Sequence, residues 1–229
     1  MQSELFKNKK DSQEGFTLVE LLVTLSVFTV ISALTLANYP KFNNQTAITG
    51  LAQQIAISIR EAQVYGVAVK NASSTSSIVS PNVYPAYGIF FATTSAATNY
   101  GNSTSYSVFF DRVTSAGSAP YFRPIGDNFF TDSGELVETV KIQNGSKIVG
   151  ICGVPTTGST CNPVDSAFVV FRRPNPDAII KTVAIGSGPW PYTAPALVDC
   201  QRLDVTIRSR DQDITKIVQV YSSGQITVK

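Results

Sequence analysis

Gly15-Phe16-Thr17-Leu18-Val19-Glu20-Leu21-Leu22-Val23 opens an apolar run that continues to Pro40. From Phe16 to Tyr39, 24 residues, Glu20 is the only charged side chain. As one α-helix a segment of that length covers about 36 Å, enough to cross a hydrocarbon core with some tilt. A carboxylate inside an apolar segment is expensive to bury alone, so it needs a cation. A cut between Gly15 and Phe16 would supply one, the new α-amino group, a helical turn from Glu20. The residues ahead of that point are polar and carry Lys7, Lys9 and Lys10, which favour the cytoplasmic side of a membrane. A secretory signal is cut after its apolar run, at small residues. Here the small residue precedes the run, so cleavage at Gly15 leaves the apolar helix on the mature chain.

The stretch Gly15 to Val23 resembles the prepilin signature of type IV pilins and of the pseudopilins of type II secretion systems. The resemblance implies that a prepilin peptidase cuts after Gly15 and methylates the new N-terminal Phe16. It implies that the retained helix holds the subunit in the inner membrane, in contact with lipid and an assembly platform, with the C-terminal domain outside the cytoplasm. It further implies that the helix later packs among other pilins or pseudopilins in the core of a cell-surface or periplasmic filament, with Glu20 as the core acid.

The chain has 229 residues and a formal net charge of +2, with charged residues at 15%. That suits one membrane helix plus one domain, and the charge gives no bulk attraction to nucleic acid or to an anionic surface. Histidine is absent, which removes the commonest metal ligand and the commonest general base. Of the three cysteines, Cys152 and Cys161 enclose a turn-rich Gly153–Thr160 segment and are a candidate disulfide, worth about 2–3 kcal/mol. Cys200 with either of them is the competing pairing, and one thiol is left free or pairs between chains. Without His or a Cys-x-x-Cys pair, no zinc site or other cofactor is expected.

Beyond Pro40, Ile48, Leu51, Ile55, Ile59, Ala62, Tyr65 and Val69 recur every three or four residues, the pattern of an amphipathic helix with one apolar stripe. This predicts the outer half of one long helix ending near Lys70; a separate helix after a break at Pro40 is the alternative. Short apolar or β-branched runs follow, bounded by Gly, Pro, Asn and Ser clusters: 86–92, 105–112, 136–142, 147–151, 167–172 and 178–185. Leu203, Val205 and Ile207 alternate with polar residues as a half-buried strand, and 214–221 with 225–228 predict a closing hairpin around Ser222-Ser223-Gly224. The expected fold class is α+β, a long N-terminal helix on an antiparallel β-sheet domain. Its divisions are a leader at 1–15, a membrane and filament-core helix at 16–40, an amphipathic half at 41–70 and a β-rich domain at 71–229. The stretches Ser58-Ile59-Arg60-Glu61-Ala62, Tyr106 to Asp111 and Tyr221 to Val228 resemble H-type pseudopilins and the minor pilins called FimT-like. The Ser/Thr/Pro-rich insertions between Asn71 and Trp190 depart from those compact relatives.

The catalytic inventory is thin. Asp111-Arg112, Asp127, Asp132, Glu135 and Glu138 could supply paired carboxylates, but solvated charges on turns and strand faces are the ordinary explanation. No nucleophile elbow, phosphate loop or metal-ligand spacing occurs, so the expectation is a structural subunit and not an enzyme. Gly186 to Tyr192, with Trp190, is a candidate contact loop or core cap. Nucleic acid is the second partner considered: Arg202, Arg208, Arg210 and Lys216 lie close together and Arg172-Arg173 form a pair. Asp199, Asp204, Asp211 and Asp213 oppose them, and pairing along one strand face is the simpler account. Asn-x-Ser/Thr sequons at Asn44, Asn71, Asn102 and Asn144 fit an exposed surface.

Overall fold

A computed structural model describes residues 15–68, 85–93, 101–111, 136–184, 197–211 and 214–229. Helix α1 runs Leu18–Val67 without interruption at Pro40. Proline removes one N–H and crowds the carbonyl four residues back, yet the remaining ladder carries the helix through. The break considered at Pro40 is not present, and α1 ends at Val67, a few residues before Lys70. Two compact units divide the chain, one ending at Asn43 and one running Asn44–Lys229. In the first, the large apolar side chains of α1 from Leu18 to Phe42 are exposed.

The second unit joins the last turns of α1 to nine strands: β1 (Ala86–Ala92), β2 (Ser105–Asp111), β3 (Leu136–Lys141), β4 (Lys147–Pro155), β5 (Asn162–Phe171), β6 (Ala178–Ala184), β7 (Leu197–Arg208), β8 (Thr215–Tyr221) and β9 (Ile226–Val228). All pairings are antiparallel, in the order β3-β2-β1-β5-β4-β7-β8-β9, with β6 joined to both β5 and β7. Strands β5, β6, β7 and β4 therefore close a circuit, each paired with two of the others. Inside it Gly153 faces Cys200 and Thr182, and an added Cβ would stand 2.7 Å from the Cys200 sulfur. Only glycine fits there.

Ile48, Leu51, Ile55, Ile59 and Ala62 of α1 are buried as the 3.6-residue period predicts, against Ile89, Phe91, Val169, Phe171, Leu203, Val205, Ile207 and Val218. Tyr65 is only half-buried, and Val69 lies outside the described residues. A second apolar layer, with Phe90, Phe109, Phe168 and Val170, occupies the opposite face of β1, β2 and β5. Strand β1 is consequently buried along its whole length, which is why it reads as a continuous apolar run without alternation.

Three strands are longer than the sequence pattern indicates. β4 continues through Cys152-Gly153-Val154-Pro155, and β5 begins at Asn162-Pro163, because the two pair across Ile151↔Val164, Cys152↔Pro163 and Gly153↔Asn162. Gly and Pro there serve a hairpin instead of ending the strands. β7 begins at Leu197, and the shift in its register with β4 between Val154 and Pro155 breaks the two-residue period ahead of Leu203.

A buried amide helps fasten the head to α1. Gln63 Nε2 donates to the carbonyls of Pro176 at 2.9 Å and Gly224 at 3.3 Å, and Arg60 Nη1 donates to Gln63 Oε1 at 2.8 Å. Gly224 has φ +79°, and an added Cβ would lie 2.3 Å from the Pro176 oxygen and 2.5 Å from Gln63 Nε2. Gly224→Ala is expected to cost about 2–4 kcal/mol through left-handed strain and the lost amide contacts. That is a fall of roughly 5–15 °C in the melting temperature of the detergent-solubilised chain; unchanged melting would contradict the clamp.

Candidate functional site

The N-terminus of α1 is closed by a threonine N-cap. Thr17 Oγ1 accepts the backbone N–H of Glu20 at 3.2 Å, and Leu21 N–H donates to the Thr17 carbonyl at 3.1 Å. Thr17 is thus the N-cap and Glu20 the third helical residue, the Thr-x-x-Glu arrangement that satisfies free N–H groups at a helix start. The carboxylate lies in the first turn, where the helix dipole favours negative charge. Gly15 and Phe16 precede the helix in extended or irregular backbone, and both are exposed, Phe16 at 82%. A peptide bond between them is accessible and outside any regular hydrogen-bonded element. Thr17 went unassigned in the sequence reading, although Ser/Thr-x-x-Asp/Glu before an apolar run is itself the signal for it. Lys7, Lys9 and Lys10 lie outside the described residues.

Below Glu20, hydroxyls are absorbed by the helix itself. Thr24, Ser26, Thr29 and Thr35 donate to carbonyls three or four residues back, and Asn38 Nδ2 donates to the Leu34 carbonyl at 2.9 Å. These bonds let polar side chains sit in an apolar environment without an outside partner. The helix is long and apolar enough to cross a membrane.

In the second unit Cys152 and Cys161 are disulfide-bonded, with Cα atoms 5.5 Å apart, and Cys200 is a free, buried thiol. The competing pairings through Cys200 are excluded by geometry. Cys152 sits on the outer face of β4, whereas Cys200 points into the core beside Thr182 Oγ1 at 3.4 Å. Burial pushes the Cys200 thiol above its ordinary pKa, opposed by the Thr182 hydrogen bond. The Cys152 and Cys161 sulfurs and an Asp204 carboxylate oxygen lie within 4.8 Å of one another. While the sulfurs are bonded together they offer no thiolate, so this set cannot act as a thiolate metal site.

One of the two arginines of β7 is engaged by a carboxylate. Arg202 Nε and Nη2 donate to Asp204 at 2.9 and 3.2 Å, and Gln219 Nε2 donates to the same carboxylate at 3.0 Å. Lys181 pairs with Asp199 across β6 and β7. Asn44 Nδ2 donates to Asp211. Arg208 keeps a buried Nε without a partner, and Arg210 is exposed. The strand-face pairing expected for Arg202 and Asp204 is thus present, and it leaves no continuous cationic stripe along β7.

Of the candidate acids, Glu138 is exposed on β3 and the Asp111 side chain is not described. Arg112, Asp127, Asp132, Glu135, Asp213 and the Gly186–Tyr192 loop lie outside the described residues. Among the sequons, Asn102 uses its Oδ1 to cap its own turn, accepting Thr104 N–H at 2.8 Å. Asn144, with φ 61°, forms an exposed turn with Gly145, and Asn71 is not described.

Residues 10–36 match the family model described as the prokaryotic N-terminal methylation motif. No curated protein and no solved structure matches the chain. Motif and fold agree: a methylation signal, a long apolar helix, and an antiparallel β head behind it. The motif supports a protein of the type IV pilin-like or pseudopilin class, and it implies processing by a prepilin peptidase and assembly with other pilins.

Intact chain is expected to be unreactive toward a thiol-specific reagent under native, non-reducing conditions. It should expose one thiol per chain on denaturation and three after reduction. Rapid native labelling would contradict the placement of Cys200.

Proposed function

We propose that this protein is a structural subunit, a minor pilin or pseudopilin, of a type IV pilus or a type II secretion pseudopilus. Prepilin peptidase cuts between Gly15 and Phe16, and Phe16 becomes the N-methylated first residue. The observation that carries the reading is the Gly15–Glu20 sequence at the head of an exposed apolar helix. Before assembly the helix anchors the chain in the inner membrane as a single pass, with the β head outside the cytoplasm. The mechanism is mechanical. Cleavage leaves a cation two residues ahead of α1, next to the positive end of the helix dipole, where it is unfavourable by itself. A carboxylate at Glu20 of an adjacent subunit offsets both that cation and the cost of its own burial. Each charge left alone in an apolar core would cost several kcal/mol. The ion pair thereby selects the axial register at which neighbouring helices pack.

Glu20→Ala should leave the protein in the membrane fraction and reduce its recovery in sheared filaments or pseudopili at least tenfold. Glu20→Asp should be intermediate, because the shorter arm retains charge and loses reach. Wild-type incorporation of Glu20→Ala would refute the register role.

A further inference from the structure

Strand β4 places Cys152 between two neighbours, opposite Pro163 of β5 on one side and opposite Asp204 of β7 on the other. Cys152, Cys161 and Asp204 gather there, all three half-buried. Asp204 Oδ2 lies 3.8 Å from Cys161 Sγ. A carboxylate oxygen and a thiolate sulfur bound to one tetrahedral zinc stand about 3.5 Å apart, given Zn–O near 2.0 Å and Zn–S near 2.3 Å. The acid is therefore already close to the spacing at which it and Cys161 could share a metal ion. No Cys-x-x-Cys spacing marks this set in the sequence, because its third member comes from β7, 43 residues beyond Cys161.

The carboxylate is oriented from behind. Arg202 Nε and Gln219 Nε2 both donate to Oδ1, and Arg202 Nη2 donates to Oδ2. An ionised carboxylate has about four acceptor positions, so one remains, on the oxygen beside the sulfur. Outer partners of this kind hold a metal ligand in place. The hairpin also has ties other than its disulfide. Ile151↔Val164, Cys152↔Pro163 and Gly153↔Asn162 pair across it. Its loop is fastened to β7 by Gln201 Nε2, which donates to the Gly158 carbonyl at 2.7 Å, and by Thr156 N–H, which donates to the Asp199 carbonyl at 3.2 Å. With the S–S bond cut, these contacts keep both sulfurs within reach of Asp204.

We propose that Cys152, Cys161 and Asp204 form a redox-gated site for one thiophilic divalent cation such as zinc, shut in the disulfide form and open in the dithiol form. A dithiol reductant opens it. Its first thiolate attacks one sulfur to give a mixed disulfide, its second thiol resolves that bond, and it departs as a disulfide, leaving two S–H groups on the chain. The cation then displaces both thiol protons to solvent and forms two metal–sulfur bonds and one metal–oxygen bond. Water takes the fourth position, which half-burial leaves accessible. Two thiolates, the Asp204 carboxylate and the Arg202 guanidinium leave two negative charges, which one divalent cation cancels. The site lies wholly in the head and is independent of the filament role.

The test uses the detergent-solubilised full chain with a histidine-free affinity tag, since the chain itself has no histidine. Cadmium is the probe, because its bond to thiolate gives an ultraviolet charge-transfer band. After reduction by a phosphine and removal of the reductant, the wild-type chain should bind one cadmium, show the band and release two protons. The oxidised chain should show no band. Cys200→Ala should match the wild type, because Cys200 belongs to the core side. Cys152→Ser and Cys161→Ser should each lose tight binding, and Asp204→Asn should weaken it about tenfold or more. Circular dichroism follows the β head through reduction. A reduced, folded chain without the band would overturn the site, as would wild-type affinity in Asp204→Asn or a band abolished by Cys200→Ala. Loss of the β signal on reduction would overturn it as well, because the three ligands meet only in the folded hairpin.

Discussion

The lone carboxylate at the start of α1 is the constraint to which the rest of the chain answers. Glu20 occupies the third position of a helix capped by Thr17, so it is held by local geometry before any other subunit is present. From there to Pro40 the helix has no other charge, and the hydroxyls of Thr24, Ser26, Thr29 and Thr35 donate to its own carbonyls. Nothing further down the segment competes for a cation brought near the N-terminus. In the proposed assembly this makes the amine–carboxylate pair the one polar contact available among apolar surfaces, which is why it can choose a register that dispersion and burial alone would leave loosely defined.

The head obeys a different logic. Its part of α1 is amphipathic, with isoleucines and leucine buried against two groups of strands that meet through β4, β5, β6 and β7. Gln63 ties the helix to the turns at Pro176 and Gly224, and the Cys152–Cys161 bond closes the β4–β5 hairpin. These are local devices that stiffen loops, at the places where a β head must present fixed surfaces to its neighbours.

The helix, the hairpin at the C-terminus and the core positions of β7 were legible in the sequence because one rule governs each. A 3.6-residue period places Ile48, Leu51, Ile55 and Ile59, and strict alternation places Leu203, Val205 and Ile207. The full extent of β4 and β5 was not legible, since Gly153, Pro155 and Pro163 are turn formers that only a cross-strand partner can hold in register. Nor did the sequence decide among three cysteines. The decision comes from which face of the sheet each occupies, and face is a property of pairing that a bulge in β7 displaces. At the candidate site the residues Gly15, Phe16 and Glu20 stood out by spacing and by the cost of a buried charge, while Thr17 passed as an ordinary polar residue until its hydroxyl was seen to accept the Glu20 amide.

The most direct measurement is the mass of the N-terminal peptide from chain extracted from membranes of cells with active prepilin peptidase. The account predicts that it begins at Phe16 and is heavier than its sequence by one methyl group. A peptide that still carries residues ahead of Phe16, or that begins at Phe16 with a free amine lacking that methyl, would contradict it.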